Sequence, residues 1–135
     1  MRPVLLDTNA YTAFKLGKKE IIEIIQCSEK IVLSPIVIGE LLGGFDHGTR
    51  ALHNRKELQQ FLASSRIQIF PITIDTANFY SHVYFLLKRK GQPIPTNDMW
   101  IAAQALENGC VVCTYDKHFG AIDGLIIGNE FSQLI

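Results

Sequence analysis

Val4-Leu5-Leu6-Asp7-Thr8-Asn9 decides how this chain is read: three consecutive apolar residues, an acid, then two small polar residues. An apolar run without polar alternation suits a strand buried on both faces, as in a parallel sheet covered by helices. The same form recurs downstream. Ile31-Val32-Leu33 leads into Ser34-Pro35, an N-cap residue followed by a proline at the first helical position. Val111-Val112-Cys113-Thr114-Tyr115 leads into Asp116. Such strands, alternating with helical stretches, predict an α/β fold: three α/β/α layers around a mostly parallel sheet of about five strands. Right-handed crossovers put every strand-to-helix junction on one edge, where open α/β sheets hold their ligands.

The remaining elements follow from periodicity and punctuation. Thr8 to Phe14 reads as a helical turn or two, and Glu20 to Cys27 carries Ile21, Ile22, Ile24 and Ile25 at helical spacing. The helix opened by Ser34-Pro35 is expected to end at Gly43-Gly44, with a turn over Asp46 to Thr49. Ala51 to Ala63 is expected as a helix with Leu52, Leu58, Phe61 and Leu62 facing inward. Ile67 to Ile72 reads as the third strand. Thr73 or Asp75 caps a long helix running to Lys90, and Thr96 caps the next, which runs to Asn108-Gly109. Val111 to Thr114 and Leu125 to Ile127 complete the sheet. No repeat, low-complexity stretch or linker divides the chain, so residues 1–135 read as a single domain.

Bulk properties exclude several classes. With 135 residues, 47% hydrophobic and 19% charged, the chain can bury a substantial core and is not disordered. Thirteen basic and thirteen acidic side chains cancel, so a polyanion would have to be held by local clusters. No uncharged apolar run approaches the ~18 residues of a membrane span. Only three apolar residues separate Met1-Arg2-Pro3 from the first acid, which argues against a secretory leader, and a cytoplasmic location is expected. Cys110 and Cys113 form a C-x-x-C, but residues three apart on a strand face opposite ways, and no second pair completes a zinc site. The cysteines are expected to be buried and idle. Neither a G-x-x-x-x-G-K-[ST] nor a G-x-G-x-x-G is present, so nucleotide binding has no support.

Four acids stand where surface decoration is a poor account: Asp7, Glu40, Asp98 and Asp116. Three of them have a plain alternative. Asp7 would serve as the N-cap of the first helix, Asp98 would complement a helix dipole, and Asp116 would cap the turn before Lys117-His118. Glu40 resists such a reading. Its helical neighbours are Ile36, Val37, Gly43 and Gly44, and no lysine or arginine lies within four positions, so a close-packed apolar setting is expected around it. Taken together the four change meaning. Two carboxylates about 4 Å apart repel by about 4 kcal/mol at an effective dielectric near 20. A pocket holding them all must retain protons, as a carboxyl dyad does, or bind divalent cations. All-oxygen ligation favours Mg²⁺ or Mn²⁺, one or two ions, and the chemistry best served by water activation and leaving-oxygen stabilisation is phosphodiester hydrolysis.

Asp7-Thr8-Asn9, Glu40-Leu41-Leu42, Asn97-Asp98-Met99-Trp100-Ile101-Ala102-Ala103 and Thr114-Tyr115-Asp116-Lys117-His118-Phe119, in this order, resemble the PIN domain. Within it, the chain is similar to the VapC-type ribonuclease toxins of prokaryotic toxin–antitoxin pairs. The likeness spans essentially the whole length and includes the stretch from Gly43 through Arg50, Asn54, Leu58 and Phe61-Leu62. It implies a metal-dependent endoribonuclease in which Asp7, Glu40, Asp98 and Asp116 are catalytic and hold the metal, with Asn9 and Thr114 in support. It also implies a 5′-phosphate product and a small antitoxin partner, while the acidic centre itself suggests a metal-bound hydroxide as the nucleophile. Many relatives carry a further acid where this chain has His118, whose imidazole suits softer metals and is a less favoured ligand than the acids.

RNA contact would fall to two basic clusters: Arg50, Arg55 and Lys56, and Lys88, Arg89 and Lys90. The plain reading of the second is a solvated helix end complementing the dipole. The apolar face Phe79, Tyr80, Val83, Tyr84, Leu87 is expected mostly in the core, with a dimer face as its other use. Two other classes stay open. A haloacid-dehalogenase-like phosphatase also places Asp after its first strand, but its acid two residues on is Asn9 here. A noncatalytic PIN-like RNA-binding protein would keep the fold without turnover.

Overall fold

In the computed structural model, which describes all 135 residues, the expected alternation is realised. The elements are β1 (Val4–Leu6), α1 (Thr8–Lys15), α2 (Lys19–Cys27), β2 (Ile31–Leu33), α3 (Pro35–His47), α4 (Ala51–Leu62), β3 (Ile67–Ile69), α5 (Ile74–Lys90), α6 (Thr96–Asn108), β4 (Val111–Cys113), a 3₁₀ turn (Lys117–Ala121), β5 (Ile127–Gly128) and α7 (Phe131–Leu134). The five strands are ordered β3-β2-β1-β4-β5, and every pairing is parallel. The chain runs outward from β1 through β2 to β3, then returns to place β4 on the other side of β1. The gap beyond the C-terminal ends of β1 and β4 is therefore the topological switch point, where open α/β sheets bind ligands.

Strand alternation sorts side chains between two cores. Leu5, Val32 and Val112 pack with Val37, Leu41, Val83, Leu87, Ile101 and Ala105 from α3, α5 and α6. Val4, Leu6, Ile31, Val111 and Cys113 pack on the other face with Ala10, Ala13, Ile21, Ile24 and Leu134 from α1, α2 and α7. All the residues of β1, β2 and β4 are buried, which is why these strands read as unbroken apolar runs. Cys110 joins the first core and Cys113 the second, so the two thiols do face apart. No helix is long and apolar enough to cross a membrane.

Several local expectations are corrected. Helix α3 passes through Gly43-Gly44 and ends at His47, because neither glycine takes a positive φ and Leu41 and Phe45 hold the helix to the core. Leu52 is 88% exposed, not inward. At about 100° per residue it lies roughly 120° around α4 from buried Leu58, whereas Phe61 and Leu62 fall within about 60° of it. The third strand stops at Ile69, since Pro71 has no N–H for a ladder, although the Phe70 N–H still reaches the Leu33 carbonyl. Pro95, with extended backbone, occupies the cap of α6, and Thr96 is its first residue. Cys27, at the end of α2, is exposed rather than buried. Of the apolar face of α5, Val83 and Leu87 are core, Tyr80 stacks on Trp100 at 4.2 Å, and Phe79 and Tyr84 stay exposed.

Candidate metal centre at the sheet edge

Asp7 leaves β1 at the switch point and fills two roles at once. Its Oδ1 accepts the Thr8 N–H at 2.8 Å, the N-cap bond of α1, while Oδ2 accepts the Thr114 hydroxyl at 2.8 Å. The plain reading and the functional one thus coexist in one side chain. Thr114, buried at the end of β4, in turn accepts the Asp116 N–H at 2.9 Å. Asn9 Oδ1 accepts the Tyr115 N–H at 3.1 Å, tying the start of α1 to the loop after β4. A single hydroxyl and a single amide therefore stitch together two strand ends more than a hundred residues apart.

Glu40 enters from the second turn of α3. It is exposed, which corrects the expected close-packed setting: Gly43 and Gly44 offer no side chains to cover it. Polar contacts restrain it instead. Oε1 accepts the Thr8 hydroxyl at 2.7 Å and Oε2 accepts the Asn97 side-chain N–H at 3.3 Å. Asp98, in the first turn of α6, is 8% exposed. Its Oδ2 lies 3.4 Å from His118 Nδ1. Asp116 caps the 3₁₀ turn by accepting the His118 N–H at 2.9 Å, and its Oδ1 also sits 3.0 Å from His118 Nδ1. Thr8 and Asn97 were absent from the expected ligand and supporting set, and His118 stood there only as a less favoured ligand than the acids. Their signal was adjacency: each lies next to, or two residues from, one of the acids.

The four acids act on one another through their charge. Burial, with the Asp7 carboxylate second and Asp116 and Glu40 adding to it, pushes Asp98 up to about 6; His118 pulls the other way. Asp7 is also raised, chiefly by burial and further by Glu40 and Asp116, against the lowering effect of the Thr114 and Thr8 hydrogen bonds. No lysine or arginine is ion-paired with any of the four. The only side chain able to bring positive charge is His118.

The donor set fits a divalent cation. Ligand atoms of Asp98, Asp116 and His118 lie within 4.8 Å of one another, and the Asp7 and Glu40 carboxylates are near enough to act on Asp98 through their charge. Buried carboxylates that repel and lack a basic partner are stabilised by the charge such an ion brings.

The basic clusters are largely engaged elsewhere. Arg55 makes a two-pronged contact with Asp46 at 3.0 and 2.7 Å. Lys90 bonds Asp123 at 2.7 Å and the Ala121 carbonyl at 2.8 Å. Lys88 and Arg89 lie over the rings of Tyr84 and Phe85. Arg50 and Lys56 remain exposed without an ion pair.

Comparison with known proteins identifies the family and the fold. Residues 4–125 match the PIN domain family. Ribonuclease VapC2 of Rickettsia felis is 31% identical over 109 residues, which cover 80% of each chain. The crystal structure of VapBC2 from Rickettsia felis bound to a promoter DNA fragment superposes with a TM-score of 0.83 at 25% identity, covering 93% of this chain and 97% of that one. DNA-bound VapBC from Salmonella typhimurium gives a TM-score of 0.83 at 27% identity, covering 95% and 98%. With the family matched across nearly the whole fold and four acids at its sheet edge, this chain belongs to the PIN domain family.

Proposed function

We propose that the chain is an endoribonuclease that hydrolyses RNA phosphodiester bonds with Mg²⁺ or Mn²⁺, and that it is the toxin of a toxin–antitoxin pair. What supports the reading is the mutual electrostatic influence of Asp7, Glu40, Asp98 and Asp116 without a lysine or arginine ion pair. Its likeness to a protein named as a ribonuclease, at 31% identity, selects RNA as the polymer.

Asp7 and Asp98, both buried, would be the fixed ligands, and Glu40 and Asp116 the more accessible ones at the mouth. When bound, one or two divalent ions would supply a Lewis acid that activates water and carries charge on the leaving 3′ oxygen. The protein's own part is positioning. Thr114 holds the Asp7 carboxylate in one rotamer, and Thr8 and Asn97 hold Glu40. Asn9 fixes the backbone that carries Asp116. Below about pH 6 Asp98 takes up a proton in the free protein and loses its competence as a ligand. Within the two clusters Arg50 and Lys56 are the side chains free to meet phosphate, whereas Arg55, Lys88, Arg89 and Lys90 would first have to leave their present contacts.

An antitoxin partner follows from the VapC-type likeness, and a homodimer from the apolar face of α5. Exposed Ile74, Tyr84 and Phe85 on α5 supply apolar surface for such contacts. The reading is tested by incubating a mixed cellular RNA pool with the wild type and with Asp7→Asn, with Mg²⁺, with Mn²⁺ and with chelator, and mapping the new ends. Cleavage that needs the ion and Asp7, yields 5′-phosphate ends and survives a 2′-deoxy substitution at the cut supports it. Cleavage indifferent to chelator, or lost with the 2′-deoxy substitution, points to a 2′-hydroxyl nucleophile and overturns it. A stable phosphate adduct on Asp7 would instead revive the phosphatase reading.

A further inference from the structure

The 3₁₀ turn after β4 places an imidazole where an all-carboxylate site would have only oxygen. His118 Nδ1 lies 3.0 Å from Asp116 Oδ1 and 3.4 Å from Asp98 Oδ2, and the three donor atoms lie within 4.8 Å of one another. Ions with bonds of about 2.1 Å in octahedral geometry set neighbouring donors about 3.0 Å apart and opposite ones about 4.2 Å apart. The 3.0 and 3.4 Å separations from His118 are close to those of adjacent donors around one such ion. Asp98 is 8% exposed, and the contact to His118 is the only side-chain hydrogen bond it makes. The backbone aims the ring, because the His118 N–H is bonded to Asp116 Oδ1 and fixes the turn. The far side of the ring opens to solvent, His118 being 52% exposed, so Nε2 can carry the proton when Nδ1 offers its lone pair.

We infer that His118 Nδ1 is a direct ligand, with Asp98 and Asp116, of a divalent cation, and that this nitrogen makes the centre select first-row transition ions over Mg²⁺. Imidazole binds such ions far better than it binds Mg²⁺, which takes oxygen donors almost exclusively. The inference rests on the metal-centre reading above but concerns the donor set, and so fails separately from it. It assigns a function to the one nitrogen donor set among these acids.

The test measures binding rather than cleavage. Mn²⁺ and Mg²⁺ are titrated calorimetrically into the metal-stripped full chain, as wild type, His118→Asp, His118→Gln and Asp98→Asn. Pulsed electron paramagnetic resonance on the Mn²⁺ forms reads coupling to a bound ring nitrogen. Since His118 is half exposed and its turn is held by a backbone N–H, both His118 variants are expected to fold. Expected are nitrogen coupling in the wild type that vanishes in both variants, and a preference for Mn²⁺ over Mg²⁺ that falls about tenfold in His118→Asp. Mn²⁺ bound without nitrogen coupling, coupling that persists in His118→Asp, or an unchanged preference overturns the inference and leaves the acidic centre standing. No Mn²⁺ binding by the wild type overturns both.

Discussion

Replacing Asp98 by asparagine should make the cation-free protein more stable at neutral pH, even though it removes a ligand. Asp98 is 8% exposed, and burial, followed by the Asp7 carboxylate, pushes its carboxyl from the ordinary 3.8 up to about 6. The folded chain therefore binds more protons than the unfolded chain between those two values. Stability falls as pH rises from about 4 to about 6, and the full penalty is present above that window. A gap of about two pH units corresponds to about 3 kcal/mol. Coupling to the other acids and solvent at the pocket mouth reduce the usable part to about 1–3 kcal/mol. Asparagine keeps the shape without the charge. Urea denaturation in chelator, at intervals from about pH 4 to about pH 8, should show the variant ahead by about 1–3 kcal/mol at the upper end and level with the wild type at the lower. Saturating Mn²⁺ should then stabilise the wild type more than the variant, because binding to the folded state alone adds stability. A variant less stable at neutral pH, or equally favoured at both ends of the series, would refute the reasoning.

Other expectations are more local. Thr114→Val removes the donor to Asp7 Oδ2 and the acceptor for the Asp116 N–H. It should cost about 1–3 kcal/mol of stability and at least about tenfold in cleavage rate, with Thr114→Ser recovering most of both; denaturation and kinetics decide it. A β-carbon at Gly128 would stand 2.6 Å from Gln133 Cβ and Oε1. Gly128→Ala should therefore lower stability by about 1–3 kcal/mol, measured by thermal unfolding. Neutralising Arg50 or Lys56 should each flatten the slope of log affinity for RNA against log salt by about 1. Lys90→Ala should leave that slope alone, since its charge is spent on Asp123; a slope that moves only for Lys90 would reverse the assignment.

Much of this protein was legible in its linear order because the signals were local. Unbroken runs such as Val4-Leu5-Leu6 and Val111-Val112-Cys113 report burial on both faces, and burial on both faces means a parallel sheet between helices. Ser34-Pro35 and Thr73 announce their helices through hydrogen bonds that need only neighbouring residues. Asp7, Glu40, Asp98 and Asp116 could be singled out because each stood at a junction or lacked a local partner. Helix ends were less legible: Gly43-Gly44 looks like a stop, yet packing by Leu41 and Phe45 carries α3 through it.

What the chain order alone determined was the set of elements and the identity of the acids, because propensity, capping and burial act between near neighbours. Distances across the pocket were decided only when β4 came to lie beside β1. That pairing brings the Thr114 hydroxyl onto Asp7, and the turn that follows sets the His118 ring between two carboxylates. The reach of Thr8 and Asn97 to Glu40, and the loss of Arg55 and Lys90 to acids of their own, were likewise settled by tertiary structure. Such contacts join residues tens of positions apart, and their energies depend on angstrom-scale separations that no local pattern encodes.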